Sequence, residues 1–158
     1  MCGIFCDLQK ASDCVNHDIL LEKIKYSGIT DVAYKLLKSY LSNRYQRTMI
    51  KANNSNKLFS SWKIIKYGVP QGSVLGPLLF LIYINDLPAS ISQITKSVIF
   101  AYDTSIIVTS DNKTDFSHTL HLTMTEINWF QCNRLTLNYD KTHFLHLITK
   151  IKIKCNNR

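Results

Sequence analysis

The chain has 158 residues, enough for one domain with a real core, and its 46% hydrophobic content is ordinary for a globular protein. No repeat or low-complexity tract is present, which excludes fibrous and disordered classes. Lysines and arginines outnumber acids by 19 to 11, a net charge of +8 that favours a polyanionic partner.

In chain order, Gly3–Leu8 predicts a short buried strand with Asp7 near its end. A carboxylate there needs a partner or a metal, unless it faces solvent where the strand stops. Gln9–Val15 is a polar connection carrying a second acid, Asp13. Asn16 is suited to cap a helix over His17–Ser27, with Ile19, Leu20 and Ile24 on one face and Gly28 as its stop. Thr30 is expected to cap a second helix, whose Val32, Leu36, Leu37, Tyr40 and Leu41 recur at helical spacing.

Arg44–Ala52 and Lys57–Lys66 predict two strands of one hairpin, joined by the turn Asn53-Asn54-Ser55-Asn56. Arg44, Arg47 and Lys51 stand on it among the aromatics Tyr45, Phe59 and Trp62. That mixture suits nucleic-acid contact, and the wet face of an edge hairpin has the same composition. Gly68–Pro88, GVPQGSVLGPLLFLIYINDLP, then combines a loop rich in glycine and proline with an unbroken apolar run. Pro77 suits the first turn of a helix that is expected to be buried on most sides. The glycines leave backbone N–H groups open to a flat or anionic ligand, and Gln71 can both donate and accept there. An ordinary loop-to-helix entry fits the composition equally well.

Lys96–Ala101 and Thr104–Ser110 predict a tight strand pair with Tyr102-Asp103 at its tip. A helix over about residues 114–133, a short extended piece at Leu135–Asn138 and a strand over Thr142–Ile151 complete the order. A frayed basic tail at 151–158 ends it, either solvated or touching a polyanion. Strands mixed with helices on one face make an α+β sandwich. Asp7 and Asp103 then stand at two strand ends, and acids so placed can converge on Mg²⁺, a hard ion that takes carboxylate oxygen.

Five cysteines without a CxxC pair imply reduced intracellular thiols, and no histidine sits with them at zinc-site spacing. The N-terminus lacks the layout of a signal peptide, and no apolar run is long enough for a membrane span. An intracellular, nuclear or cytoplasmic protein is expected, with no membrane partner.

Four segments resemble, in order, those of reverse transcriptases encoded by non-LTR retrotransposons. CDLQKASDCVNHDILLEKI is similar to the segment with the first catalytic aspartate, and GVPQGSVLGPLLFLIYINDLP to the segment after it. FAYDTSII resembles the FADDT hairpin, and NWFQCNRLTLNYDKT the later segment ending in a lysine–threonine pair. The resemblance implies the ferredoxin-like palm of an RNA-directed DNA polymerase, with partial fingers and no thumb, as a single partial domain over 1–158. It implies an RNA template, a DNA primer, deoxynucleoside triphosphates and two Mg²⁺ ions. By resemblance, Asp7 and Asp103 are catalytic and metal-binding, and Lys141 protonates the leaving pyrophosphate. Ser12, Gln71 and Gly72 fall at nucleotide-binding positions.

Two departures from that pattern bear on activity. Tyr102 stands where the family has the first of two adjacent aspartates. A phenol with a pKa of about 10 supplies no anionic oxygen to Mg²⁺ at neutral pH. Loss of such a group implies a slowing of roughly a thousandfold or more, so this copy is expected to be inactive. Ser12 replaces the bulky aromatic that blocks the ribose 2′-hydroxyl. By the family pattern the chain is also expected to lack most of the fingers, the thumb and any nuclease region. A non-catalytic nucleic-acid-binding remnant, or a relic without function, is the alternative expectation.

Overall fold

A computed structural model of the chain describes residues 1–51, 56–91, 95–101, 103–109, 121, 123 and 127–146. The expected turn at Asn53–Ser55, Tyr102, most of the predicted 114–133 helix, the end of the last strand and the basic tail lie outside the described residues. In chain order, β1 (Cys2–Cys6), α1 (Ala11–Cys14), α2 (His17–Tyr26) and α3 (Asp31–Leu41) come first. The short strands β2 (Tyr45–Gln46), β3 (Met49–Lys51), β4 (Lys57–Phe59) and β5 (Lys63–Ile64) follow. Then come α4 (Leu75–Ile84), α5 (Leu87–Ser90), β6 (Thr95–Phe100), β7 (Asp103–Val108), α6 (Asn128–Cys132) and β8 (His143–His146). The result is an α+β protein with antiparallel sheets, as the sequence implies.

The chain forms two compact units. The first takes Met1–Leu8, Leu87–Trp129 and the described residues from Leu137 onward. It is built on an antiparallel sheet in the order β6-β7-β1-β8. Alternation along the strands sorts its residues by face. Cys2, Ile4 and Cys6 register with Val108, Ile106 and Thr104, and all six are buried. Phe5, Val98 and Phe100 on the other face are exposed. Burial pushes the Cys6 thiol up to about 11 and also raises that of Cys2.

The second unit takes Gln9–Asp86 and Phe130–Thr136. In α2, Asn16 Oδ1 accepts from the N–H groups of Asp18 and Ile19, both at 3.0 Å, so the predicted cap forms. Leu20 and Ile24 of α2 are buried, and the helix packs against α3 and α4. Lys23 Nζ donates to Tyr83 O and to Asp86 Oδ1, each at 2.6 Å, tying α2 to the end of α4. Desolvation lowers the Lys23 pKa, and Asp86 opposes that shift. The Tyr83 hydroxyl, buried, donates to Asn133 O at 2.6 Å and accepts from Asn16 N at 3.4 Å.

Several expectations need correction. The polar connection after β1 contains a helical turn, α1, too short to carry a periodic signal. Thr30 does not cap α3 through its side chain, because its hydroxyl donates to Asp31 Oδ2 instead. Within the expected apolar stripe of α3, Val32 and Leu36 are exposed and Leu41 is buried. The single hairpin is two ladders, β2 with β5 and β3 with β4. Residues 47–48 separate the ladders on one side and 60–62 on the other, so an extra residue bulges out on the returning side. Helix α4 is buried on one face, since Leu78 and Leu81 are about half exposed at 51% and 46%. β6 ends at Phe100 and β7 begins at Asp103, each one residue earlier than expected. Asp103 is the first residue of β7, opposite Phe100.

Candidate active site

In the first unit, the β1–β7 ladder brings two of the expected carboxylates together. Its last registered pair is Cys6 with Thr104. Asp7 follows Cys6 and Asp103 precedes Thr104, so the two acids flank that last pair on the same side. Both positions alternate with the buried pair, so they fall on the open face of the sheet. Asp103 is exposed and Asp7 half-buried. Asp7 Oδ2 accepts from Asn138 Nδ2 at 2.9 Å. Its carbonyl accepts from Asn138 N at 2.9 Å, and its N–H donates to Thr142 Oγ1 at 3.4 Å. Lys141 is exposed in the turn before β8, its N–H donating to Asn138 O at 3.1 Å.

Two carboxylates at adjacent strand ends form a hard-oxygen donor set that fits Mg²⁺. Among the described residues no group of three or more His, Cys, Asp or Glu could hold a metal ion, so a cation at Asp7 and Asp103 would need further oxygen ligands.

In the second unit, a cleft of about 610 Å³ is lined by Lys10, Asp13, Arg44, Gln46, Tyr67 and Gln71 with the glycine loop. Gly68 closes the loop against α1. Its φ is 86°, and an added Cβ would meet Asp13 Cα and O at 3.0 Å, so only glycine allows this approach. The loop is stitched there by Val69 N donating to Ser12 O at 2.8 Å and Gly68 N to Val15 O at 2.7 Å. Gln71 Nε2 donates to Asp13 Oδ1 at 2.8 Å, which fixes its amide and leaves Oε1 as the acceptor facing out. Lys10 and Arg44 bring positive charge to the same cleft. Gly72, with φ 77°, is exposed beside Gln71, and Ser12 is half-buried.

Arg47, between β2 and β3, and Lys51, in β3, are exposed and are not among the residues lining this cleft. The Arg47 guanidinium stands 4.1 Å from the Phe59 ring centroid and 4.6 Å from that of Trp62. Asn138, Lys10 and the Asp13–Gln71 bond are additions to the residues singled out from sequence. One legible signal had been available for the basic side. No acid occurs between Asp31 and Asp86, a span that contains Arg44, Arg47, Lys51, Lys57, Lys63 and Lys66.

Comparison with known proteins bears on this arrangement. The family described as "Reverse transcriptase (RNA-dependent DNA polymerase)" matches residues 1–155. The chain is 44% identical over 86 residues to the probable RNA-directed DNA polymerase from transposon BS of Drosophila melanogaster, covering 54% of this chain and 9% of that protein. It is 26% identical over 144 residues to the Pol polyprotein of the type-1 retrotransposable element R2 of Popillia japonica, covering 85% and 22%. To the X-element polymerase of Drosophila melanogaster it is 36% identical over 108 residues, covering 68% and 11%. The chain thus spans less than a quarter of the length of these relatives. Among solved structures, apo telomerase from Candida tropicalis truncated from its C-terminal domain superposes with a TM-score of 0.63 at 19% identity, over 91% of this chain and 30% of that one. The same enzyme in complex with a fragment of telomeric RNA gives 0.64 at 15%, over 91% and 26%. These likenesses establish the fold. With almost its whole length matched, the chain belongs to the reverse transcriptase family, among the non-LTR retrotransposon polymerases.

Proposed function

We propose that this chain is the palm segment of a mobile-element polymerase that copies RNA into DNA, and that Tyr102 disables it. The observation that supports the reading is the β1–β7 register, whose last pair, Cys6 with Thr104, is flanked by Asp7 and Asp103. In this reading Asp7 and Asp103 hold Mg²⁺. When bound, such ions supply activation of a primer 3′-hydroxyl and neutralisation of the triphosphate. Gln71, with its amide held by Asp13, offers an acceptor to a donor group on the nucleotide or templating base. Lys10 and Arg44 supply positive charge for phosphates. Lys141, exposed, is available to give a proton to pyrophosphate. Ser12 in place of an aromatic weakens rejection of ribonucleotides.

The test is a polymerase of the X-element type carrying this segment, with Tyr102→Asp, assayed for primer extension on RNA. Adding Asp7→Asn or Asp103→Asn is expected to lower the rate by roughly a thousandfold or more. Undiminished extension by either variant would sink the assignment.

The acid-free basic span supports a second role, holding nucleic acid without catalysis. Arg47 beside two exposed aromatics offers both charge and stacking. Binding of an RNA–DNA hybrid is expected to fall as salt rises. Neutralising Arg44, Arg47 and Lys51 together should flatten the plot of log affinity against log salt by about 2 to 3, near 0.7–0.9 per lost contact. An unchanged slope would exclude these residues.

A further inference from the structure

We propose that Asn138 is a positioning residue for Asp7, gripping its carboxylate by one oxygen so that the other is presented to a divalent cation. This rests on the reading of Asp7 and Asp103 as metal carboxylates. Asp7 lies just beyond the end of β1, and its short carboxylate side chain has two torsions that the backbone bonds leave free. Asn138 removes that freedom from 131 residues away, with Nδ2 on Asp7 Oδ2 at 2.9 Å.

The grip is itself braced. Asn138 N donates to Asp7 O at 2.9 Å, and Asn138 O accepts from Lys141 N at 3.1 Å and Thr142 N at 2.8 Å. The bond from Asn138 N to Asp7 O joins the two segments and the other two close the turn that carries Asn138, so the side-chain bond is not needed to hold them together. What it fixes is the direction of the carboxyl group. The chemistry of the donor fits that task. A neutral amide occupies one oxygen without cancelling the negative charge, whereas a lysine at this place would compete with the cation. Hydrogen bonds that orient a ligating carboxylate are typically worth 10–100-fold in metal affinity. The residue sits three positions before Lys141 in the segment whose lysine–threonine pair the polymerase reading already uses.

The experiment is Mn²⁺ titration of the full chain by electron paramagnetic resonance, in a Tyr102→Asp background that restores the family's acid. Asn138→Leu keeps side-chain volume and the main-chain bonds but cannot donate, and Asn138→Ala serves if the leucine variant misfolds. Circular dichroism and thermal melting monitor the fold. The expected result is a loss of Mn²⁺ affinity of about tenfold or more with unchanged folding, and an altered Mn²⁺ spectrum. If Asp7→Asn abolishes binding while both Asn138 variants bind like their parent, the positioning role is wrong and the metal reading survives. If the parent binds no Mn²⁺, or Asp7→Asn binds as well as the parent, the metal reading fails and takes the positioning role with it.

Discussion

Thr104 follows Asp103 in β7, and its side chain points to the opposite face, where it is buried to 1% exposure. Its hydroxyl has no hydrogen-bond partner among the described residues. A buried unpaired hydroxyl costs about 1–3 kcal/mol, and valine has nearly the same shape without that cost. Thr104→Val should therefore stabilise the chain by about 1 kcal/mol in urea unfolding, and a loss of stability would show a partner was removed. Cys6, beside it in the ladder, gives a pH prediction. Its folded-state pKa of about 11 lies above the ordinary value near 9.0, so the folded chain keeps the proton longer than the unfolded one. Stability from this thiol is complete below about pH 9 and is lost as pH rises through 11, by at most about 3 kcal/mol. Cys6→Ala should be less sensitive to alkali over that window in denaturant titrations, and equal sensitivity would assign the loss to other groups.

At the scale of elements, α2, α4 and the segment after α6 meet at the Tyr83 hydroxyl. Tyr83→Phe removes both bonds while keeping the ring, and should cost about 1–3 kcal/mol in urea unfolding. A cost near zero would show the hydroxyl bonds add nothing over water. Elements of this kind were legible where one cause dominated. Asn16 caps α2 as its residue type and place before the apolar stripe imply, and the apolar strands of the β6–β7 pair follow from pattern. Elsewhere two causes competed. One residue of excess on the returning side breaks a long hairpin into two ladders, and no feature of composition marks that residue. The end of β6 and the start of β7 lie one residue earlier than expected, because a tight turn can be framed in either way from the sequence. Ala101, at φ 53°, takes the left-handed conformation such a turn asks for. The amide of Asn138 was invisible for a different reason, since its partner is 131 residues away.

At the scale of the whole molecule, the chain order of β1, the glycine loop, the β6–β7 pair and the β8 turn follows the order of the four segments that resemble polymerase motifs. Topology then makes two acids, far apart in sequence, neighbours on one sheet face, which spacing alone could only suggest. No helix among the described residues is long and apolar enough to cross a membrane. The basic residues on the exposed ladders and those of the cleft belong to one acid-free span, so charge is segregated along the chain as well as in the fold. In the proposed reading, an aromatic at position 102 withholds the anionic oxygen that the family's aspartate would supply.

Single-nucleotide addition on an RNA template, by an X-element-type polymerase carrying residues 1–158, tests that claim most directly when the native segment is compared with Tyr102→Asp. The account predicts that the native segment adds nucleotide roughly a thousandfold more slowly or not at all, and that Tyr102→Asp restores Mg²⁺-dependent addition. Equal rates from the two would contradict it.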